Sequence, residues 1–514
     1  MRTYLLGIDV GTTGSKALLI DPQGAVRASA TTEYPLHMPR PLWAEQNPED
    51  WWRATISSIQ RVLRQSHASA KQIAGVGPTG QMHGLVLLDR QGAVIRPCIL
   101  WNDQRSSAQC AAITKIIGAK QVIRLTGNPV LPGFTAPKLV WVREREPHAY
   151  RRVAKVLLPK DYIRYRLTGE FFSEVSDASG TSLFDVGKRR WSDDMLETLD
   201  VPHDWLPDVT ESPVASAKVG LQAARRTGLL VGTPVVGGGG DQAAQAVGTG
   251  VVAEGTVSVT LGTSGVVFAA SEKYRVEPQG RLHAFCHAVP GQWHLMGVML
   301  SAGGSLRWYR DALCAAEMAE AKRTGRNVYD VILGPARRVP AGCEGLIFLP
   351  YLAGERTPHP DPNARGVFFG LTLRHGKPHL SRAVIEGVSF GLCDSLELIR
   401  NTGLPLKQIR ASGGGAQSAL WRQILADAFD MPIGTVNVTE GAAYGAALLA
   451  AVGVGLHRSV ADACRKSIRL IGTTKPGKAA GVYADYYIRY RELYPALAKP
   501  FETLAAVANK YLEM

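Results

Sequence analysis

Near its start the chain carries an apolar run, Tyr4–Ile8, a small polar turn, Gly11-Thr12-Thr13-Gly14, and a second apolar run, Lys16–Ile20. Short aliphatic runs bounded by glycine predict strands, so this segment reads as strand, turn, strand. Further strands are predicted at Ile73–Gly77 and Leu85–Leu88. Between them, "NPEDWWRATISSIQRVLRQ" carries three helix-start signals: Asn47 as N-cap, Pro48 at the first helical position, and Glu49 and Asp50 in the first turn. Strands interspersed with helices predict an α/β protein. From Glu170 to Pro213 the chain turns polar and rich in turn formers, which predicts a lobe added to the first domain.

A second opening lies halfway along. "GTVSVTLGTSGVVFAAS", Gly255 to Ser271, again reads as strand, turn, strand. Its turn Gly262-Thr263-Ser264-Gly265 matches Gly11–Gly14 at three positions, and the fourth pairs Thr13 with another hydroxyl, Ser264. Two such hairpins half a chain apart predict a duplicated domain with a cleft between the halves. The boundary is placed in the glycine-rich stretch Gly248–Glu254, giving domains 1–249 and 250–514. The uncharged, Ala/Gly-rich stretch Gly441–Leu456 falls short of the ~20 residues that span a bilayer and is predicted to be a buried helix.

Composition narrows the function classes. At 514 residues, 46% hydrophobic and 20% charged, the chain has the make-up of a soluble globular protein with a large core. The net charge of +14 favours anionic ligands, but the Lys and Arg residues are scattered, with no run of the kind that forms a nucleic-acid tail. Nucleotides and sugar phosphates fit this charge better than a polynucleotide or a membrane. Seven cysteines, an odd number with no CxxC pair, argue against a disulfide framework or a zinc site and for reduced thiols in a cytoplasmic protein. Asp9 interrupts the first apolar run, so no secretory leader is expected.

Four stretches carry candidate chemistry. The Gly11–Gly14 turn lacks the residue order of a P-loop, and strand rather than helix follows it. Its glycines would let backbone N–H groups converge on an anion. The hydroxyls of Thr12, Thr13, Thr263 and Ser264 add donors, and Lys16 adds a charge within reach of a phosphate. Asp9 would suit such a site if Mg²⁺, held directly or through water, lay between it and the phosphates; as an ordinary turn cap it would need none. In "VVGGGGDQAAQ", Asp241 follows four glycines at the start of an Ala-rich helix. Such a carboxylate should stay ionised at neutral pH and can take a proton from an attacking hydroxyl, although Asp is also a common helix cap. Met82-His83 sit between Gly80 and Gly84 before a strand, as a pocket wall or as ordinary core residues. Gly413-Gly414-Gly415, read between a strand and a helix, allow close approach of a flat ring or a diphosphate. There is no dinucleotide fingerprint and no cluster of metal-ligating His or Cys.

Together, "GIDVGTTGSK", "LWAEQNPEDWW", "GQMHGLVLLD", "ILWNDQRS" and "LLPKDYIRYRLTGE" in the first half, with "SVTLGTSGVVF", "SAGGSL", "FLPYLAGERTPH" and "GGGAQSALWRQILAD" in the second, resemble the FGGY family of carbohydrate kinases up to about Ala450. The resemblance implies two actin-like domains of the ribonuclease H type, closing over ATP and a sugar. It implies that Asp241 is the general base, that Met82 and His83 contact the sugar, and that Asp9 lies near Mg²⁺. It sets Thr12, Thr13 and Lys16 on the phosphate hairpin, and Thr263, Gly303, Arg307, Gly414, Gly415 and Ser418 at the nucleotide. "QMHG" and "WNDQRS" distinguish the xylulose-phosphorylating members from the glycerol-phosphorylating ones, so the expected reaction is ATP-dependent phosphorylation of D-xylulose at its 5-hydroxyl. Another ketose or polyol (ribulose, L-xylulose, glycerol) is the alternative, and a sugar sensor without turnover is the rival outside the enzymes. The expected partners are a small sugar and ATP, with no nucleic acid and no membrane, and a homodimer is among the assemblies allowed. Three departures stand out: Gln242 follows Asp241 where these members usually carry Asn, Gln417 replaces the usual Arg near the nucleotide, and "SAGGS" differs from the commonest form of that segment. Gln242 is therefore a further candidate substrate contact.

Overall fold

The computed structural model describes residues 3–512 and divides into two compact units. One comprises residues up to Ala253 together with Ala270–His294 and Glu440–Arg469; the other comprises Glu254–Ala269, Leu295–Thr439 and the chain from Leu470 onward. The first break falls in the glycine-rich stretch expected to hold the boundary. The composition of the second unit differs from the expected 250–514, because two later segments pack into the first.

The first unit is built on strands β1 (Tyr4–Val10), β2 (Gly14–Ile20), β3 (Val26–Glu33) and β5 (Ile73–Gly80); a two-residue strand β4 (Glu45–Gln46) lies in a separate small sheet. The main sheet runs Pro234–Val235, β5, β1, β2, β3, with β1–β2 and β2–β3 antiparallel and β1–β5 parallel. The second unit repeats this plan. Thr256–Leu261 pairs antiparallel with Gly265–Ser271 on one side and parallel with Gln408–Ser412 on the other, and Ile433–Val436 continues the parallel part. Both sheets thus have a hairpin followed by parallel neighbours, as the ribonuclease H type requires, and one of the two Gly-Thr turns joins the strands of each hairpin.

Close helix packing explains why Glu440–Arg469 joins the first unit. Helix Gly441–Gly453, buried along most of its length as its composition predicts, lies against β1 and β5 at glycines. A Cβ on Gly7 would collide with the Ala443 carbonyl, and one on Gly77 with that of Ala446. The same helix meets helix Asp241–Gly248 where a Cβ on Gly445 would strike the Ala244 carbonyl. Only glycine permits these backbone contacts, so the small residues fix where the helix carrying Asp241 lies.

Helix α1 (Pro48–Ser66) starts as its sequence predicts, with Asn47 Oδ1 accepting from the Glu49 amide at 3.0 Å. It buries Trp51 and Trp52 in a core shared with β1, β2 and β5. The segment from Glu170 to Pro213 belongs to the first unit, and Ser173 to Val186 are buried throughout despite their polar composition. Its polar residues are inside because they bond one another, as set out below. All seven cysteines are buried and none forms a disulfide. Among the described residues, no helix is long and apolar enough to cross a membrane.

Candidate active site

Strand register assembles the acidic centre of the first unit. Asp9, near the end of β1, stands opposite Lys16 on β2 and opposite Thr79 on β5. Thr79 in turn pairs with Gly239, two residues before Asp241. The two aspartates therefore come from neighbouring strand ends, near enough for each charge to act on the other. Burial pushes Asp9 up to about 6 against the attraction of Lys16. Burial pushes Asp241 up to about 7, and the charge on Asp9 adds to this; hydrogen bonds from the backbone and side chain of Gln242 pull it back. Asp241 is thus not fully ionised at neutral pH, as its helix-start position alone would predict, because desolvation and a second carboxylate outweigh the helix N-terminus. Gly240 is the cap and Asp241 the first helical residue. Asp9 Oδ1 is sealed from solvent and accepts no hydrogen bond, as is Thr79 Oγ1.

Met82 and His83 adjoin this centre. Met82 is buried, and a Cβ on Gly240 would come within 2.9 Å of its Sδ, so the last glycine of the loop is packed on the thioether. His83 takes a left-handed conformation (φ 71°), stacks on Phe134 with ring centroids 4.6 Å apart, and shares a hydrogen bond of 2.8 Å between Nδ1 and the Gly180 carbonyl. Thr135 Oγ1 and the buried Lys138 Nζ donate to the His83 carbonyl at 3.0 and 3.1 Å, holding the bend.

The hairpin turn is more committed than the sequence suggests. Thr12 Oγ1 donates to Gln81 Oε1 (3.1 Å), Gln81 Nε2 donates to Gln46 Oε1 (3.0 Å), and Gln46 Nε2 donates to the Thr12 carbonyl (2.7 Å). Two indoles feed this ring, Trp101 Nε1 into Thr12 Oγ1 at 3.1 Å and Trp51 Nε1 into Gln46 Oε1 at 3.0 Å. The ring ties the phosphate-type turn to Gln81, the residue before Met82. Lys16 is ion-paired with Glu440. Thr13 is exposed. Sequence reasoning missed Gln46 and Gln81 because an amide's partners depend on which strands meet; Trp101 lay in a quoted motif but had no stated role.

In the second unit a cavity of about 580 Å³ is lined by Thr263, Gly303, Arg307, Gly414, Gly415 and Ser418, all six residues that the resemblance set at a nucleotide. Its volume lies within the range of small-ligand sites, ~300–1,000 Å³. Asn327, Tyr329, Gln417 and Trp421 are also in its wall. The Gly262 and Thr263 carbonyls accept from the amides of Gly303 and Gly304 at 2.8 and 3.0 Å, so the second Gly-Thr turn sits directly on the start of helix Gly303–Leu313. The triple glycine does not open a helix directly, contrary to expectation. Gly413 has φ 84°, Gly414–Gln417 form a 3₁₀ turn, and Ser418 caps the following helix, Ala419–Phe429. A Cβ on Gly414 would meet nothing within 4 Å, so that residue leaves open space.

Residues 4–248 match the N-terminal domain of the FGGY family of carbohydrate kinases, and residues 257–454 match its C-terminal domain. The chain belongs to the FGGY family of carbohydrate kinases. This FGGY chain is 44% identical to xylulose kinase of Escherichia coli (strain K12) over 89% of its length and 91% of the relative's. It is 37% identical to xylulose kinase of Bacillus subtilis (strain 168) over 96% of each chain. Among solved structures, ligand-bound xylulose kinase from Lactobacillus acidophilus superposes with a TM-score of 0.90 at 28% identity, covering 98% of this chain and 100% of the other. The FGGY kinase is thus an enzyme of carbohydrate phosphorylation on the actin-like, ribonuclease H-type fold, and the kinases of this family use ATP.

Proposed function

We propose that this kinase converts D-xylulose and ATP to D-xylulose 5-phosphate and ADP. Asp241 takes the proton of the 5-hydroxyl as its oxygen attacks the γ-phosphorus, while Met82, His83 and Gln242 hold the sugar. The observation that carries the reading is the pair Asp241–Asp9 beside Met82–His83. A base held near 7 is ionised in a useful fraction of molecules at neutral pH, yet basic enough to accept a hydroxyl proton. Phosphoryl transfer asks for little beyond such a base, positioning and charge neutralisation. The substrate follows from the printed names of the relatives at 44% and 37% identity.

ATP is assigned to the cavity of the second unit, with the turn at Thr263, Gly303 and Arg307 toward the phosphates and the Gly414–Ser418 wall toward the nucleoside. Thr13 offers a free-standing hydroxyl at the first turn, whereas Thr12 and Lys16 act there by shaping the turn as much as by direct contact. The sealed, unpartnered Asp9 Oδ1 fits a Mg²⁺ held through water. Among the described residues no group of three or more His, Cys, Asp or Glu could hold a metal ion, so the remaining ligands would come from phosphates and water. Mg²⁺ would supply neutralisation of phosphate charge.

A panel of D-xylulose, D-ribulose, L-xylulose and glycerol, with ADP release followed by a coupled assay, tests the substrate. D-xylulose should give the highest kcat/KM; a marked preference for ribulose or glycerol would overturn the assignment. Gln242 is the residue that gives those rivals standing.

A further inference from the structure

The loop that delivers Asp241 is Gly237-Gly238-Gly239-Gly240. Four consecutive glycines have more backbone freedom than any other tetrapeptide, so a base mounted on them stands in one place only if something else holds the loop. The structure supplies a frame made from the buried polar residues of Pro159–Val214. Gly240 N–H donates to Ser176 Oγ at 3.0 Å. Ser176 Oγ donates its own proton to Glu174 Oε1 at 2.8 Å. The Glu174 carboxylate also accepts from the amides of Ser176 and Asp177, each at 2.8 Å, and from Ser212 Oγ at 2.7 Å. Lys160 Nζ, 3.9 Å from the carboxylate, donates to the Gly237 carbonyl at 3.3 Å, and the Ser212 carbonyl accepts from Gly238 N–H at 2.9 Å. Glu174, Ser176 and Lys160 are fully buried. Glu174 thus ties together contacts at Gly238 and Gly240, while Lys160, hydrogen-bonded to Asp161 at 2.6 Å, holds Gly237.

We infer that Glu174 and Ser176 are positioning residues for phosphoryl transfer, holding the Gly240 amide and with it the Asp241 carboxylate in the place the reaction needs. Capping the four-residue helix Val175–Ala178 accounts for two of the bonds to Glu174, but not for the chain that leaves the helix through Ser176 to Gly240. The direction of that chain is set by chemistry. Gly240 N–H can only donate, so it takes a lone pair of Ser176 Oγ and leaves the hydroxyl proton to point to Glu174 Oε1. Removing the hydroxyl leaves Gly240 N–H without its acceptor and loosens the loop next to Asp241, although Gly239 stays paired with Thr79 on β5. Replacing the carboxylate by an amide sets N–H donors against donors. The inference rests on the reading of Asp241 as the base.

The test is steady-state kinetics of the full-length chain with D-xylulose and ATP for Ser176→Ala, Glu174→Gln and Asp241→Asn, with thermal melting of each. Ser176→Ala should melt as a folded protein and lose ~10- to 100-fold in kcat, the scale of a small misplacement of a reacting group, with KM for ATP within about twofold of the parent. Glu174→Gln should lose at least as much. If Glu174→Gln fails to fold, Ser176→Ala alone decides. Unchanged kcat in Ser176→Ala, or a loss confined to KM for ATP, overturns the inference while Asp241→Asn remains inactive. Parental activity in Asp241→Asn instead overturns the base reading and this inference with it.

Discussion

A base desolvated for catalysis should burden the fold, and Asp241→Asn exposes that burden. The Asp241 pKa rises from 3.8 in a free chain to about 7 in the folded protein, chiefly through burial and secondarily through Asp9. The sign follows from the direction. With the folded pKa raised, the folded state binds the proton more tightly, so its stability contribution is intact below about pH 4 and is lost as pH rises toward 7. A shift of roughly three pH units corresponds to at most ~4 kcal/mol at pH 8. Part of the Asp241 surface remains open to water, which screens the charge, so ~1–3 kcal/mol is the expected gain on replacing the carboxylate by the neutral amide. For a unit of roughly 300 residues, at ~2 cal/mol/K per residue, this raises Tm by ~2–5 °C. Differential scanning fluorimetry of parent and Asp241→Asn at pH 8 and pH 5 measures it. The variant, although inactive, should be the more stable at pH 8, and its advantage should shrink to about a third at pH 5. A variant no more stable than the parent at pH 8, or one with the same gain at both pH values, refutes the reasoning.

Further outcomes follow from the same geometry. The logarithm of kcat/KM for the sugar should rise with pH and level off above about pH 7, because the protonated Asp241 cannot accept a proton. Asp9, pushed to about 6, shapes the lower part of the curve as the coupled partner; a flat profile from pH 5.5 to 8 contradicts this. Gly414→Val places a side chain into open cavity, so KM for ATP should rise ~10-fold or more with KM for the sugar and Tm unchanged; an unaltered KM for ATP removes the nucleotide from that wall. Gly445→Ala drives a methyl into the Ala244 carbonyl and should cost ~3 kcal/mol or more, seen as a lower Tm or loss of soluble protein, whereas a stable variant would show that the two helices separate freely.

The elements most legible in the sequence were those with local causes. The two Gly-Thr hairpins, the start of α1 at Asn47-Pro48, and the buried Ala/Gly helix from Gly441 each follow from composition and spacing, and each stands where it was expected. What local pattern could not supply was partnership at long range. The Gly441 helix was read as buried, but that it lies on β1 and β5, in the first unit, depends on Gly7 and Gly77 being flush with it. Glu170–Pro213 reads as an added lobe because its residues are polar and turn-forming, and the pattern does not show that Ser173, Glu174, Ser176 and Ser212 are inside, where they satisfy one another. The place of Asp241 at a helix start follows from local sequence, but its ionisation does not, since the second carboxylate arrives from β1, more than two hundred residues earlier. Separation along the chain likewise hides the commitment of Thr12 to Gln81, 69 residues on, and of Lys16 to Glu440, 424 residues on.

The central claim is that Asp241 carries out proton transfer in D-xylulose phosphorylation. The most direct measurement is the rate of D-xylulose 5-phosphate formation by Asp241→Ala beside the parent at saturating ATP and pH 8, where the parent base is mostly ionised. Removal of the base predicts a fall in kcat of at least ~10²-fold, the lower end of a general base's contribution, in a protein that melts no earlier than the parent. Formation of the 5-phosphate at a rate near that of the parent would contradict the account.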